Sequence, residues 1–170
     1  RLDQYIARRD EFSSKKEKKL MRMKKKLNIT SDKRERLNLY NQIYREYYTY
    51  RYDSAMVYAN RGLQLAEQLH DAYYIDLNKI NRAAVLSTGG FYSQAEDLLL
   101  SLNPEHISPK LKQYYYYTLT WVYNYWESFC ERSEFKEGML DKKRLYLAKT
   151  LEYVGNKQSA LYYYLSGELE

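Results

Sequence analysis

The chain has 170 residues and a formal net charge of +6, from 28 Lys and Arg against 22 Asp and Glu. That length suits one domain or a run of stacked repeats, and a hydrophobic fraction of 45% argues against wholesale disorder. Six Gly, two Pro and one Cys argue against a turn-rich sandwich or barrel and exclude a disulfide framework and a Cys-based zinc site. No apolar run reaches the roughly 20 residues that span a bilayer.

Residues 2–28 lack Gly and Pro and are rich in strong helix formers, so a long helix is expected. Leu2, Ile6, Leu20, Met23 and Leu27 share one seam, which Arg9, Ser13 and Lys16 interrupt. The charge surplus lies in this helix. Lys15, Lys16, Lys18, Lys19, Arg22, Lys24, Lys25 and Lys26 stand against Glu17 alone, and outside residues 15–26 the charges nearly cancel. Three uses fit such a segment: a solvated face, an electrostatic partner such as nucleic acid or anionic lipid, or docking onto the chain's own body or a second copy. No aromatics are interleaved with the lysines, so stacking on bases lacks support.

Asn28 to Asp32 reads as a break, and Asp32 with Glu35 fits a capping box for the next helix. That helix carries Leu37, Tyr40, Ile43, Tyr44, Tyr47 and Tyr48 at helical spacing. Asp53 is expected to cap a following helix with the small stripe Ala55, Ala59, Gly62, Ala66 and Leu69. A helix over about 72–87 turns Ile75, Ile80, Ala83 and Ala84 inward and stops at Gly89-Gly90. Ser93 is expected to cap the next one. Ser108 and Pro109 start a long helix to about Glu131. Gly138 then suggests a loop over 132–140, followed by helices over 141–154, ended by Gly155, and from Asn156 to about Glu168. No Asn-Gly or Asp-Gly pair joins alternating apolar runs, so hairpins of strands are not expected. The chain begins at Arg1 rather than Met and reads as a processed or trimmed product whose parent can continue beyond Glu170.

Tyr52-Asp53-Ser54-Ala55 is echoed by Tyr92-Ser93-Gln94-Ala95, 40 residues later, and more weakly by Gln158-Ser159-Ala160. Each echo delivers a small residue into a helix behind an earlier helix with an aromatic and aliphatic stripe. Such pairs cannot bury their apolar faces alone, but stacked pairs can. These residues resemble tetratricopeptide repeats over roughly 33–168. Tyr52 and Tyr92 stand at the family's aromatic position, Ala55 and Ala95 at its small one, and Gly90 at the glycine before the aromatic. The Trp-Leu-Gly opening is absent, and the spacing exceeds the family's, about 34 residues. The resemblance implies an all-α fold: antiparallel helix pairs stacked as a right-handed superhelix over 31–170, preceded by the basic helix over 1–30. The layout is also similar to the amino-terminal part of bacterial regulators in which a Tyr-rich repeat array is exported ahead of a membrane helix and an intracellular effector. The Tyr-Asp-Ser-Ala turn and basic leading helix carry that likeness. It implies a periplasmic location and a membrane-anchored parent; without it the location is cytoplasmic.

The catalytic inventory is thin. His70 and His106 are far apart and read as helix-end residues, Cys130 as a buried structural thiol, and no Gly-rich phosphate loop is present. No cofactor and no metal are expected. Tyrosine is the anomaly, at 22 residues, with Tyr114 to Tyr117 consecutive. At about 100° per residue these four point all round a helix, so they serve either as core between layers or as the floor of a peptide groove. The resemblance implies a concave side that bonds a ligand's backbone through first-helix polar residues. Asn41, Asn78, Asn81 and Asn124 are the candidates, with Tyr44, Tyr48 and Tyr116 beside them. The expected function is a non-enzymatic module that binds a protein or peptide, the sensing or scaffolding part of a regulator, with self-association through the leading helix as a further use. The alternative is a nucleic-acid-associated protein acting through residues 15–26.

Overall fold

The structure is a computed structural model that describes residues 2–130 and 134–169, with side chains from residue 14 onward. Among the described residues there are eight helices and no strand. They are α1 (Leu2–Ile29), α2 (Lys33–Tyr48), α3 (Tyr52–Gln68), α4 (Ala72–Thr88), α5 (Tyr92–Leu100), α6 (Pro109–Phe129), α7 (Lys136–Glu152) and α8 (Ala160–Gly167). The chain forms two compact units, residues 1–69 with α1–α3 and residues 70–170 with α4–α8.

In the first unit, a three-residue turn folds α3 back on α2, and α1 packs on α2. Leu20 and Leu27 are buried on the expected seam of α1, with Met23 half-buried between them. The side chains of Leu2 and Ile6 lie outside the described residues. From α2, Leu37, Ile43, Tyr44 and Tyr47 are buried; from α3, Ala55, Ala59, Gly62 and Ala66. The α3 stripe therefore lies inward, with Leu69 half-buried at its end. At the start of α2, Asp32 accepts a hydrogen bond from the Arg34 backbone N–H at 2.9 Å. Glu35 does not complete a box with Asp32. Its carboxylate accepts from the Thr30 hydroxyl at 2.5 Å and pairs with Lys26 at 2.6 Å, tying α1 to α2. Those bonds to the charged form hold its carboxyl below the usual range.

In the second unit, α4 pairs with α5 and α6 with α7, and α6 packs against both helices of the preceding pair. Leu77, Ile80 and Ala83 of α4 meet Ala95 and Leu99 of α5 and Leu111, Tyr115, Leu119 and Val122 of α6 in one core. Fully burying a side chain of Leu or Ile size contributes about 1.5–3 kcal/mol, so this shared core dominates the unit's stability. Leu147, Val154 and Leu165 form a smaller cluster between α7 and α8. The Gly89-Gly90 stop is a two-bond reverse turn. The Phe91 N–H donates to Leu86 O at 2.9 Å and the Gly90 N–H to Ser87 O at 3.2 Å, with Gly90 at φ 84°.

Several helix ends differ from the sequence expectations. α3 and α5 begin at the aromatic residues themselves, after Arg51 and Phe91, and neither Asp53 nor Ser93 caps them. α7 runs through Gly138, because Met139, Tyr146 and Leu147 pack inward and outweigh the cost of about 1 kcal/mol for one helical glycine. It ends at Glu152 rather than at Gly155. α8 is capped by Ser159, whose hydroxyl accepts from the Tyr162 N–H at 3.2 Å; Asn156 instead closes a local turn onto the Gln158 N–H at 2.9 Å.

Candidate functional site

The four consecutive tyrosines of α6 divide between interior and margin. Tyr115 and Tyr116 are buried, Tyr114 and Tyr117 half-buried. From Tyr116 a run of aromatic contacts crosses the second unit. Its ring lies 5.6 Å from Tyr153 and 6.3 Å from Tyr146, Tyr146 stacks on Tyr123 at 5.5 Å, and Tyr123 stacks on Trp126 at 6.4 Å. Trp126 then stacks on Tyr92 at 6.0 Å, and Tyr92 lies 6.2 Å from Phe129. Offset and edge contacts of this kind add to area burial, so the run is stiff as well as apolar.

The run ends at the surface. Phe129 is 79% exposed and Phe91 49% exposed, although both are large apolar rings. The Gly89-Gly90 turn places Phe91 and Tyr92 at the start of α5, opposite the last turn of α6. Together with Trp126, Ser93 and Gln94 they bound an open cleft of about 260 Å³. Behind it, the Tyr123 hydroxyl donates to the Glu96 carboxylate, which also pairs with Lys142 at 2.9 Å. Burial and the neighbouring Glu96 push the Tyr123 phenol far above its ordinary range. The triad thus locks α5, α6 and α7 beneath the aromatic surface. Chemically, the arrangement offers flat apolar area with polar edges, suited to contact rather than bond-making. Among the described residues, no group of His, Cys, Asp or Glu converges to hold a metal ion, and no helix is long and apolar enough to cross a membrane.

Residues 6–170 match the family model described as the SusR N-terminal TPR domain. The chain belongs to that family. No curated protein and no solved structure is significantly similar to it. As a TPR domain it is a helical repeat module of the kind that generally engages protein partners and typically carries no enzymatic activity.

Within this TPR domain, the two clear repeat signatures occupy equivalent places. Tyr52 and Tyr92 each open a second helix, and Ala55 and Ala95 are both 0% exposed. Ala160 of the weaker echo is exposed instead. The polar residues singled out from the sequence lie mostly inside. Asn41 is buried and its Nδ2 donates to Leu37 O at 3.0 Å. Asn78 is fully buried; its Nδ2 donates to Tyr74 O at 2.8 Å, while its Oδ1 lacks a partner among the described residues. Asn81 is buried and its Oδ1 accepts from the Tyr114 hydroxyl at 3.0 Å. Tyr44 and Tyr116 are also buried, Tyr48 is exposed and Asn124 half-buried. Helical patterning alone does not mark Phe91 and Phe129 as surface residues. The available signal was an aromatic beside the double glycine and another at the last turn of α6.

The basic residues of α1 divide as well. Lys16 donates to the Thr49 hydroxyl at 2.8 Å, Lys19 pairs with Glu46 at 2.5 Å, and Lys24 donates to the Tyr47 hydroxyl at 2.6 Å, which holds the Lys24 ammonium above its ordinary pKa. With the Lys26–Glu35 pair, four of the eight cations dock α1 on α2. Lys18, Arg22 and Lys25 face outward and exposed.

Proposed function

We propose that this domain is the partner-binding part of a regulator, and that it engages a peptide segment or partner protein through the aromatic surface of α5 and α6. The observation that carries this reading is the exposure of Phe91 and Phe129 over a stacked, triad-locked base. A rigid aromatic platform loses little side-chain freedom on binding, and aromatic residues are enriched where partners make their strongest contacts. Asn78, Asn81 and Tyr116, buried within the second unit, set helix positions there rather than touching a partner.

The test uses a photo-crosslinking residue at position 94, with the exposed position 161 of α8 as control. A discrete protein adduct at position 94 that is lost in Phe91→Ser/Phe129→Ser is the expected result; both rings lie outside the core, so the variant keeps its helical content. Adducts only at position 161 would sink the reading. Binding of duplex DNA that weakens steeply with salt would favour the basic helix instead, through Lys18, Arg22 and Lys25.

A further inference from the structure

In the first unit, where α1 hands over to α2, a cleft of about 500 Å³ opens between α2 and α3. Its volume falls within the range of small-ligand sites, but its lining is unlike the apolar lining usual there. Three cations, Lys33, Arg36 and Arg61, face it together with Tyr40, Gln64 and Gln68, and no acidic side chain lines it. None of the three cations pairs with an acid through a salt bridge among the described residues.

Arg36 is held in place before any ligand arrives. One Arg36 Nη donates to Leu27 O at 2.9 Å and Thr30 O at 3.2 Å, and the other donates to the Tyr40 hydroxyl at 3.2 Å. A guanidinium has five N–H donors, so donors remain for a further acceptor. Arg61 lies over the Tyr58 ring, 5.5 Å from its centroid. A guanidinium fixed like that of Arg36 loses little freedom when an oxyanion binds, and the planar forks of both arginines suit carboxylate and phosphate oxygens. A bound anion would relieve the mutual repulsion of the three cations, a gain that solvent and salt reduce because Lys33 and Arg61 are exposed. We propose that this cleft binds a small polyanion, a molecule bearing two or more phosphate or carboxylate groups. Arg36 forms its fixed floor, Arg61 and Lys33 close on the anion, and Gln64 and Gln68 bond its neutral polar groups. The proposal is independent of the aromatic surface in the second unit.

Calorimetric titration of the intact chain with inorganic pyrophosphate and, separately, with citrate tests this. Saturable binding of one anion per chain is expected for at least one probe, and the probe that binds tells phosphate from carboxylate chemistry. Lys33→Gln and Arg61→Gln should each weaken it about tenfold, the loss of one charge-assisted contact. Lys18→Gln/Lys25→Gln, which removes exposed charge from α1, should leave it unchanged. Arg36 is not substituted, because its carbonyl bonds hold the corner between α1 and α2. No saturable binding of either probe at millimolar concentration, or equal weakening in the α1 control, overturns the proposal.

Discussion

At the scale of single residues, two positions terminate helices by the same backbone device but with opposite chemistry. Gly90 after α4 has φ 84°, and His70 after α3 has φ 50°. Glycine adopts that left-handed region freely, whereas a residue with a Cβ is penalised by about 1–2 kcal/mol. His70 is exposed, so its ring gains little packing in return. His70→Gly is expected to raise the unfolding free energy by about 1 kcal/mol, after allowing for the greater freedom of glycine in the unfolded chain. Gly90→Ala is expected to lower it by a similar amount, and since no atom lies within 4 Å of a Cβ built there, the loss is one of backbone strain alone. Urea unfolding of both variants measures the pair. A neutral or destabilising His70→Gly would contradict the argument. The sequence shows the glycine stop openly. It does not mark His70, because histidine, though enriched among left-handed residues, adopts other conformations far more often.

At the scale of helices, legibility followed burial. Ala55 and Ala95 could be read as small residues at a helix–helix contact, because close approach demands a small side chain and the turn before each is short. Both are fully buried. The third echo failed because the residues around Ser159 cap a short helix without pressing Ala160 against a neighbour. The start of α7 is not legible, because Gly138 reads as a breaker whereas the inward residues Met139, Tyr146 and Leu147 carry the helix through it. α1 was legible as a helix, but its docking was one of three open uses, since the Glu46, Glu35 and Tyr47 partners lie on another element. The repeat signature makes a sharp distinction between the two small residues. Ala95→Leu should destabilise the protein by about 1–3 kcal/mol through overpacking between α5 and α6, whereas Ala160→Leu should change stability by less than about 0.5 kcal/mol. Thermal and urea unfolding of the two variants would show it, and equal effects would remove the case for a shared packing role at Tyr52-x-x-Ala55 and Tyr92-x-x-Ala95.

At the scale of the whole molecule, the tyrosines make the fold sensitive to alkali. Burial pushes the Tyr115 phenol from its ordinary 10.0 up to about 12, and Tyr123 is pushed further by burial and by Glu96. In the unfolded chain both ionise at their ordinary value, so the folded state holds their protons more tightly. Their contribution is therefore complete below pH 10 and falls away as pH rises from about 10 through 12 and beyond. Each such tyrosine should steepen the decline by about 1.4 kcal/mol per pH unit. Burial raises the phenols of Tyr116 and Tyr146 as well, so the decline in the native protein is a composite. Comparison with Tyr123→Phe isolates one phenol: the variant is less stable at neutral pH for lack of the bond to Glu96, but its stability falls less steeply above pH 10. Urea midpoints across an alkaline series, followed alongside tyrosinate absorbance, provide the measurement. If buried phenols titrated at their ordinary value while helical content stayed intact, the aromatic interior would have to be open to water, and the stiff base assigned to the surface of Phe91 and Phe129 would go with it.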